Sequence, residues 1–250
     1  MKQRSGFFWA VVCLLGLLAC QAAMAEELRI MTYNVRSCHG LKGNDINVKQ
    51  VADVIAAESP DVTGIQEMDQ KNKRCGNRDI LKELADMLKM EHAYAPAIPF
   101  KGGFYGIGTL SKAKPLKSRY VPLPGKEEKR TLQITEFKSF VFFNTHLSLT
   151  EESRLESLKV IKKEQAKYHK PIFIVGDFNA KPGDPTLAGL QKMGWKKISP
   201  DAFTFPANKP NCEIDYVWVL NAPKLKVKKA YVVNAPKESD HRPVMVVVEF

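Results

Sequence analysis

The strongest signal in the chain is the stretch Ile172-Phe173-Ile174-Val175-Gly176-Asp177-Phe178-Asn179. Its four consecutive apolar residues predict a buried β-strand that leads through a glycine to two polar side chains. In extended geometry Asp177 and Asn179 share one face. There the carboxylate could take a proton from water, and the amide could donate hydrogen bonds to a phosphoryl oxygen. Gly-Asp-x-Asn also forms ordinary turns, so the rest of the chain must decide between the two readings.

Polar residues follow predicted strands at further positions: Asn34, Glu67, His146, Asp240 and His241. Strand ends that lead into loops are where rigid scaffolds usually hold functional groups. A carboxylate such as Glu67 at the end of a buried strand is costly unless it is paired or binds a metal, and carboxylate oxygens suit Mg²⁺ or Mn²⁺. Taken alone, Glu67 is also typical of a surface residue.

Two histidines have a context that suits phosphate chemistry. His241 stands just before the last predicted strand and could act on phosphate as an imidazolium if a carboxylate such as Asp215 holds it. His146 follows the apolar run 140–143 and could bind phosphate or protonate a leaving oxygen. The other histidines lack such a context and are predicted to be non-catalytic: His39, His92 and His169.

Helical and extended patterns alternate along the chain without a linker or repeat. Apolar spacing predicts one helix that starts near Val48 and stops before Pro60, and others over 79–89, 151–167 and after Pro185. Extended runs predict strands over 28–35, 62–66, 105–110, 116–121, 131–137, 140–145, 171–175, 214–219, 225–233 and 244–250. Interspersed strands and helices in one domain favour a two-sheet α/β sandwich over a barrel or a doubly wound sheet.

Residues 1–25 have the layout of a secretory signal peptide. Lys2 and Arg4 precede the apolar run 7–19, and the small residues Ala23 and Ala25 in Ala23-Met24-Ala25 suit cleavage. The run is shorter than the about 20 residues that a membrane helix needs. We therefore expect an exported, periplasmic or secreted, monomer of residues 26–250 without a transmembrane segment.

Cysteine use leaves two alternatives open. Leu17-Leu18-Ala19-Cys20 is also compatible with a lipoprotein that carries lipid on Cys20. Cys38, Cys75 and Cys212 are spaced unlike a zinc site and are too few for a disulfide framework. One bridge plus one free thiol stays open, because export would permit a disulfide.

The chain is basic, with 38 Lys and Arg against 27 Asp and Glu. The predicted leader contains Lys2 and Arg4 and no acidic residue, so the remainder keeps a net charge of +9. This balance suits an anionic partner, and it suits simple solubility equally well. Charge alone does not identify nucleic acid.

Six motifs in order carry a family resemblance over almost the whole chain after the leader. They are Thr32-Tyr33-Asn34, Gln66-Glu67, Asn144-Thr145-His146-Leu147, Gly176-Asp177-Phe178-Asn179, Ile214-Asp215-Tyr216 and Ser239-Asp240-His241. This series resembles the endonuclease/exonuclease/phosphatase superfamily, which includes pancreatic-type deoxyribonucleases, abasic-site endonucleases, neutral sphingomyelinases and inositol polyphosphate phosphatases. The segment 105–111 and Arg130 also resemble family positions, which makes Tyr105 and Arg130 candidates for substrate binding.

The resemblance implies a four-layer α/β sandwich, with two packed mixed sheets flanked by helices and a site at one rim. It implies that residues 26–250 form a phosphoesterase domain that requires Mg²⁺ or Mn²⁺ and cleaves P–O bonds by in-line attack of water. Glu67, with Asn34 nearby, would hold the cation. Asp240 would complete the metal or water network.

The resemblance also implies the remaining roles. Asp177 would orient or deprotonate the attacking water, while Asn179 and His241 would stabilise the negative transition state. Asp215 would orient His241. His146 would contact phosphate or assist departure of the leaving group.

The substrate class stays open at this level. A phosphodiester in nucleic acid or a smaller molecule is the leading hypothesis, and a phospholipid head group or a sugar phosphate is the alternative. The chain has no basic stretch interleaved with aromatic residues for base stacking and no long hydrophobic hairpin for entering membranes. A non-catalytic binding protein on the same scaffold would be expected to lack the equivalents of Glu67, Asp177 or His241, and all three are present.

Overall fold

The structure is a computed structural model that describes residues 27–43 and 45–250. These residues form two packed mixed sheets of six strands each, with α-helices on the outer faces. The predicted four-layer α/β sandwich is thereby confirmed. The predicted signal peptide and Cys20 lie outside the described residues.

The secondary structure elements of the described residues follow the predicted order closely. The strands are β1 Glu27–Asn34, β2 Val62–Gln70, β3 Glu91–Phe100, β4 Gly103–Ser111, β5 Lys117–Leu123, β6 Arg130–Glu136, β7 Val141–His146, β8 Ile172–Asp177, β9 Lys196–Lys197, β10 Asp215–Leu220, β11 Lys226–Val232 and β12 Val244–Glu249. The helices are α1 Val48–Glu58, α2 Ile80–Leu88, α3 Glu151–Gln165 and α4 Pro185–Lys192. Two short 3₁₀ turns cover Arg36–Cys38 and Lys73–Cys75.

Three apolar layers hold the sandwich together. The layer between the sheets is built from side chains of both, including Ile30, Phe173 and Val246. Helices α1 and α2 cover the outer face of the first sheet, and α3 and α4 cover the outer face of the second. Each sheet is therefore covered on both faces, which explains why strands such as β8 and β12 consist largely of continuous apolar runs.

Sheet topology brings the polar strand ends to one rim. The first sheet has the order β11-β12-β1-β2-β4-β3 and the second β5-β6-β7-β8-β10-β9. Strand β1 runs parallel to β2, and β7 runs parallel to β8. Across the sheets, Gln66 Nε2 donates to Asn144 Oδ1 over 2.7 Å. The carboxyl ends of these four strands therefore meet at one edge of the sandwich.

Strand β3 is not among the strands predicted from the sequence. Its residues carry no strand pattern, and Pro96 and Pro99 argue against a strand because proline cannot donate a ladder hydrogen bond. The structure places β3 at the sheet edge, where it pairs with β4 alone. The register shifts between Pro96 and Ile98, so an edge position and an irregular register accommodate the prolines.

The disulfide alternative left open by the sequence receives a structural answer. Cys38, Cys75 and Cys212 are all free thiols in the described part of the chain, so the bridge left open above is not formed. Among residues 27–43 and 45–250, no helix combines the length and apolar character needed to cross a bilayer.

Candidate active site

All ten predicted site residues gather at the rim where the two sheets meet. Eight of them line one open cleft of about 440 Å³: Glu67, Tyr105, Arg130, His146, Asp177, Asn179, Asp240 and His241. The other two, Asn34 and Asp215, lie directly behind it and bond to cleft residues. Residues separated by up to about 200 positions in the sequence thus share one site.

Asp177 stands at the centre of this cleft, at the end of β8, and is almost fully buried. One carboxylate oxygen accepts from the Asn179 backbone N–H over 2.9 Å, and the other accepts from Asn34 Nδ2 over 3.0 Å. The Nε2 atoms of His146 and His241 lie 3.4 and 3.6 Å from that second oxygen. The carboxylate is therefore fixed by two hydrogen bonds, and both imidazoles lie beside its second oxygen.

Asn179 is not in the extended geometry that the sequence suggests. Its φ of +49° places it in the left-handed region just beyond β8, which Asn tolerates better than most residues. The side chain still turns into the cleft, where Nδ2 lies 3.1 Å from His146 Nε2 and donates to the Leu147 carbonyl over 3.0 Å. A turn, rather than a shared strand face, brings Asp177 and Asn179 together.

Glu67 likewise differs from the predicted strand end. Strand β2 continues to Gln70, and Glu67 sits in a bulge where the register slips between Ile65 and Met68 and where its own φ is +57°. A bulge re-aims a side chain, and here it aims the carboxylate into the cleft. Asn34 Nδ2 donates to Glu67 Oε1 over 3.0 Å.

Asn34 links the two central carboxylates. Its Nδ2 donates to both Glu67 and Asp177, and its Oδ1 accepts from the Arg36 backbone N–H over 3.1 Å. In this arrangement the amide turns nitrogen, rather than oxygen, toward the carboxylates. Asn34 therefore positions Glu67, and direct coordination of a cation by its oxygen stays a prediction.

His241 is a buried imidazolium. Its Nδ1 lies 2.9 Å from Asp215 Oδ2, which also accepts from Thr204 Oγ1 over 2.5 Å. Burial alone would lower the pKa of His241, but the carboxylates of Asp215 and Asp177 outweigh it and raise the pKa to about 10. The ring is thus charged at neutral pH, with Nδ1 held and Nε2 turned toward Asp177.

The pKa of His146 is shifted in the opposite direction from that of His241. Burial, assisted by the charges of Arg130 and His241, lowers its pKa to about 3 despite the nearby Asp177. The ring is therefore neutral at neutral pH, and Nε2 accepts from the Asn179 amide. Two histidines of one cleft thus hold different charges because of their environments.

The neutrality of His146 predicts a pH effect on stability. Unfolded His146 takes up a proton near pH 6.5, but the folded ring does not until about pH 3, so its contribution is lost as the pH falls through this window. Between pH 7 and 4.5 we expect wild type in EDTA to lose about 3 kcal/mol of unfolding free energy more than His146→Gln. Urea unfolding measures the gap, with the exposed His92→Gln as control; a pH-independent gap would refute a neutral, buried His146.

The Arg130 guanidinium already pairs with two carboxylates of the protein, which its predicted role in substrate binding does not suggest. Its guanidinium pairs with Glu127 over 3.0 Å and with Glu128 over 2.8 Å, and it is almost fully buried. Glu127 in turn accepts from the Leu149 N–H and the Ser148 hydroxyl. Arg130 therefore anchors the loop after β7.

The hydroxyl of Tyr105 has its pKa raised well above 10 by burial and by Glu67, so it remains a neutral donor.

The charge of the cleft fits a divalent cation. Its lining holds five carboxylates: Glu67, Glu127, Glu128, Asp177 and Asp240. Against them stand only Arg130 and the His241 imidazolium. Glu67 forms no ion pair with any described residue, and burial raises its pKa. Carboxylates outnumber cations in this lining, and their oxygen atoms are ligands that suit Mg²⁺ or Mn²⁺.

A second arrangement of ligand atoms lies deeper. Oxygen and nitrogen atoms of Asp177, Asp215 and His241 fall within 4.8 Å of one another. The Asp215 oxygen in this group already accepts hydrogen bonds from His241 and Thr204, and the imidazolium charge of His241 opposes a cation. This deeper group is therefore a poorer cation site than the carboxylates of Glu67 and Asp240, whose role as metal ligands stays a prediction.

Sequence reasoning missed some residues of the cleft. Leu149 and Phe205, together with Ile214 of the quoted motif, add apolar side chains to the lining, and Phe205 lies against the His241 ring with centroids 4.8 Å apart. Single apolar residues in loops give no sequence signal, because they look like ordinary core or turn positions. Thr204 gave none either, although its hydroxyl helps to hold Asp215.

Comparisons with known proteins identify the family and the fold of the chain. The model of the Endonuclease/Exonuclease/phosphatase family matches residues 31–241. The uncharacterized protein YbhP of Escherichia coli is 25% identical over 175 residues, which cover 64% of this chain and 69% of YbhP. Two solved structures from Bacteroides thetaiotaomicron share the fold, each at 18% identity. One is a protein of the same family, which aligns over 90% of this chain and 95% of its own chain with a TM-score of 0.74. The other is a mannosyl-6-phosphatase, which aligns over 89% of this chain and 100% of its own chain with a TM-score of 0.72.

Proposed function

Because the chain belongs to the endonuclease/exonuclease/phosphatase family, whose members are phosphoesterases, we propose that it is a divalent-metal-dependent phosphoesterase that hydrolyses phosphodiesters outside the cytoplasm. The observation that carries this proposal is the cleft itself. Five carboxylates, an imidazolium and a neutral imidazole converge on one open volume of about 440 Å³. Export rests on the signal-peptide pattern of residues 1–25 alone.

Glu67 and Asp240 would hold the cation, and Asn34 would fix the orientation of Glu67. Bound there, Mg²⁺ or Mn²⁺ would neutralise phosphoryl charge and make a nearby water more acidic. The bulge at Glu67 supports this role, since it turns a carboxylate outward from an otherwise buried strand. Without a cation the cleft would repel the anionic substrate.

Asp177 would orient the attacking water and accept its proton. Its two oxygens are already fixed by the Asn179 N–H and by Asn34, so the carboxylate has one orientation from which to act. His241 would donate from Nε2 to a phosphoryl oxygen as negative charge develops. Asp215 would hold the ring by Nδ1 and keep it protonated, as a positioning residue.

His146 and Asn179 would act together on the phosphate. In the protein alone, one amide hydrogen of Asn179 is directed at His146 Nε2 and the other at the Leu147 carbonyl. A bound phosphoryl oxygen would compete for the first hydrogen. Because His146 is neutral with Nε2 as acceptor, it would accept a hydrogen bond from a hydroxyl of the substrate rather than act as a standing acid.

The shape of the cleft favours a diester. The cleft lining includes three apolar side chains, Leu149, Phe205 and Ile214. A second cavity adjoins the cleft and shares Glu67 with it. A diester has a substituent on each side of the phosphorus, and both substituents would have a surface to contact. A monoester would use only one of them.

A sugar-phosphate monoesterase is the second candidate, and the likeness to a mannosyl-6-phosphatase structure favours it. A substrate panel separates the two. We expect hydrolysis of RNA, DNA or bis(p-nitrophenyl) phosphate with Mg²⁺ or Mn²⁺ at a kcat/KM at least about tenfold above that for p-nitrophenyl phosphate and mannose 6-phosphate, a difference of about 1.4 kcal/mol. Turnover of the monoesters alone would select the second candidate and reject the diester.

A further inference from the structure

We propose that the cavity beside the cleft binds a second, non-scissile phosphate of the substrate, an inference that rests on the proposed function. The cavity measures about 450 Å³ and is lined by Arg36, Ser37, His39, Gly43, Glu67 and Arg74. We call it the arginine cavity. Glu67 lines both volumes, so a substrate with its reacting phosphate in the cleft would extend directly into the cavity.

Arg74 is held as a fixed donor in the arginine cavity. Buried Asp69 accepts from its Nε over 2.7 Å and from its Nη2 over 2.9 Å, and Nη2 also lies 3.3 Å from Ser37 Oγ. The guanidinium stacks 4.6 Å from the Phe100 ring centroid and 5.4 Å from that of Tyr105. Its Nη1 donates to no described residue. A guanidinium whose orientation is fixed by a carboxylate, a hydroxyl and two aromatic rings can donate from its remaining nitrogen, Nη1, to an oxyanion.

Arg36 and His39 supply further donors of the same kind. Nη1 of Arg36 donates to the carbonyls of Gly40 over 2.7 Å and Leu41 over 3.2 Å, while its Nη2 has no partner in the part of the chain that the structure describes. His39 Nδ1 is buried and likewise has no hydrogen-bond partner there. The Arg36 side chain is 37% exposed, so its Nη2 is accessible to a phosphate oxygen in this cavity.

The backbone that presents these donors is itself unusual. Arg36, Ser37 and Cys38 have φ of +47°, +50° and +61°, a left-handed turn that side chains disfavour. Ser37 Oγ ties this turn to the Glu67 bulge by donating to the Glu67 carbonyl over 3.0 Å. Strained backbone of this kind concentrates at ligand sites. The turn and the bulge together set the arginine cavity against the cleft.

The cleft and the arginine cavity differ in the charge of the residues that line them. The cleft lining has five carboxylates against two cations, whereas the arginine cavity has two guanidiniums with Glu67 as its only lining carboxylate. Asp69 compensates Arg74 from behind, and Asp240 lies 3.9 Å from Arg36 Nε. The cavity is thus the more favourable of the two for a phosphate that carries no reacting bond.

The shared chemistry is a substrate with two phosphates, and two sources supply it. One is the neighbouring phosphate of an oligonucleotide, and the other is the second phosphate of a sugar bisphosphate. The test therefore compares two matched pairs: 5′-phosphorylated and unphosphorylated dithymidine phosphate, and glucose 1,6-bisphosphate and glucose 1-phosphate. For each pair the measured quantity is the ratio of kcat/KM with and without the second phosphate.

In wild type we expect this ratio to be about tenfold or more for at least one pair, as for a charge-assisted hydrogen bond. Arg74→Lys, which keeps the pair with Asp69, and Arg36→Gln should reduce it to about twofold or less. Arg78→Gln removes a charge from the same segment, where Arg78 pairs with Glu83 on the surface, and should preserve the ratio. The pair that responds identifies the source.

A ratio near one for both pairs in wild type, or a loss equally large in Arg78→Gln, would overturn the proposal. If no substrate is hydrolysed, the proposed function fails and binding decides the matter for the cavity. The Asp177→Ala protein should then bind at least one of the two compounds with a second phosphate about tenfold more tightly than its matched compound without it. The comparisons are glucose 1,6-bisphosphate with glucose 1-phosphate, and 5′-phosphorylated with unphosphorylated dithymidine phosphate. Equal affinities, or a preference that Arg74→Lys leaves unchanged, would overturn the proposal independently of catalysis.

Discussion

Asp177→Ala is expected to lower kcat by about 10³-fold or more, since a positioned general base contributes about 10² to 10⁴ and Asp177 is also the group on which both imidazoles converge. The protein should stay folded. The substitution removes hydrogen bonds from Asn34 and Asn179 at the rim, but it also removes one of several crowded carboxylates. We expect a loss of no more than about 2 kcal/mol in unfolding free energy.

The check is steady-state hydrolysis of bis(p-nitrophenyl) phosphate beside urea unfolding. Asp184→Ala is the matched control, because Asp184 caps α4 and pairs with Arg154 outside the cleft. That variant should lose stability and keep kcat. A kcat for Asp177→Ala within tenfold of wild type would remove Asp177 from the chemistry.

Glu67→Gln should produce the largest change in metal dependence. The substitution keeps the shape of the side chain and removes the charge, so we expect the Mg²⁺ concentration for half-maximal activity to rise by about 10- to 100-fold or more, the range seen when even outer partners of a metal are changed. In EDTA the variant should be as stable as wild type or more so, because burial already raises the pKa of Glu67 and a neutral amide avoids that cost.

Metal titration followed by activity and by melting temperature separates these effects. A ligand that binds only the folded state raises its stability with concentration, and Glu67→Gln should lose this rise. Glu83→Gln, a surface substitution at the Arg78 pair, serves as control and should titrate like wild type. An unchanged titration in Glu67→Gln would place the cation elsewhere, with the Asp177, Asp215 and His241 group as the next candidate.

Much of the fold follows from local sequence patterns. Continuous apolar runs such as 172–175 identify central strands because both faces of each sheet are covered. Helix α1 ends at Glu58, just before Pro60, as the proline predicts. Strand β3 could not be predicted, because its prolines are tolerated only by an edge position that depends on tertiary pairing.

The composition of the site was predictable, but its geometry was not. Asp177 and His241 could be located because each lies at a strand boundary in a polar motif. The orientation of Glu67 depends on a bulge in which its φ is positive, and no local sequence pattern predicts such a bulge at a glutamate. The neutral state of His146 depends on burial between two sheets, which sequence does not report.

The arginine cavity lay beyond sequence reasoning for a related reason. His39 has no motif context and was predicted to be non-catalytic, and Arg74 looks like one of many surface cations. Only the folded chain places both beside Arg36 and against Glu67. A useful signal was present nonetheless, since all three follow the predicted site strands within a few residues.

The most direct test of metal-dependent phosphoester hydrolysis is turnover of bis(p-nitrophenyl) phosphate by the purified protein, first in EDTA and then with Mg²⁺ or Mn²⁺ added back. We expect no turnover in EDTA, recovery on addition of the cation, and no recovery in Asp177→Ala. Turnover that persists in EDTA, or that Asp177→Ala retains in full, would contradict the account.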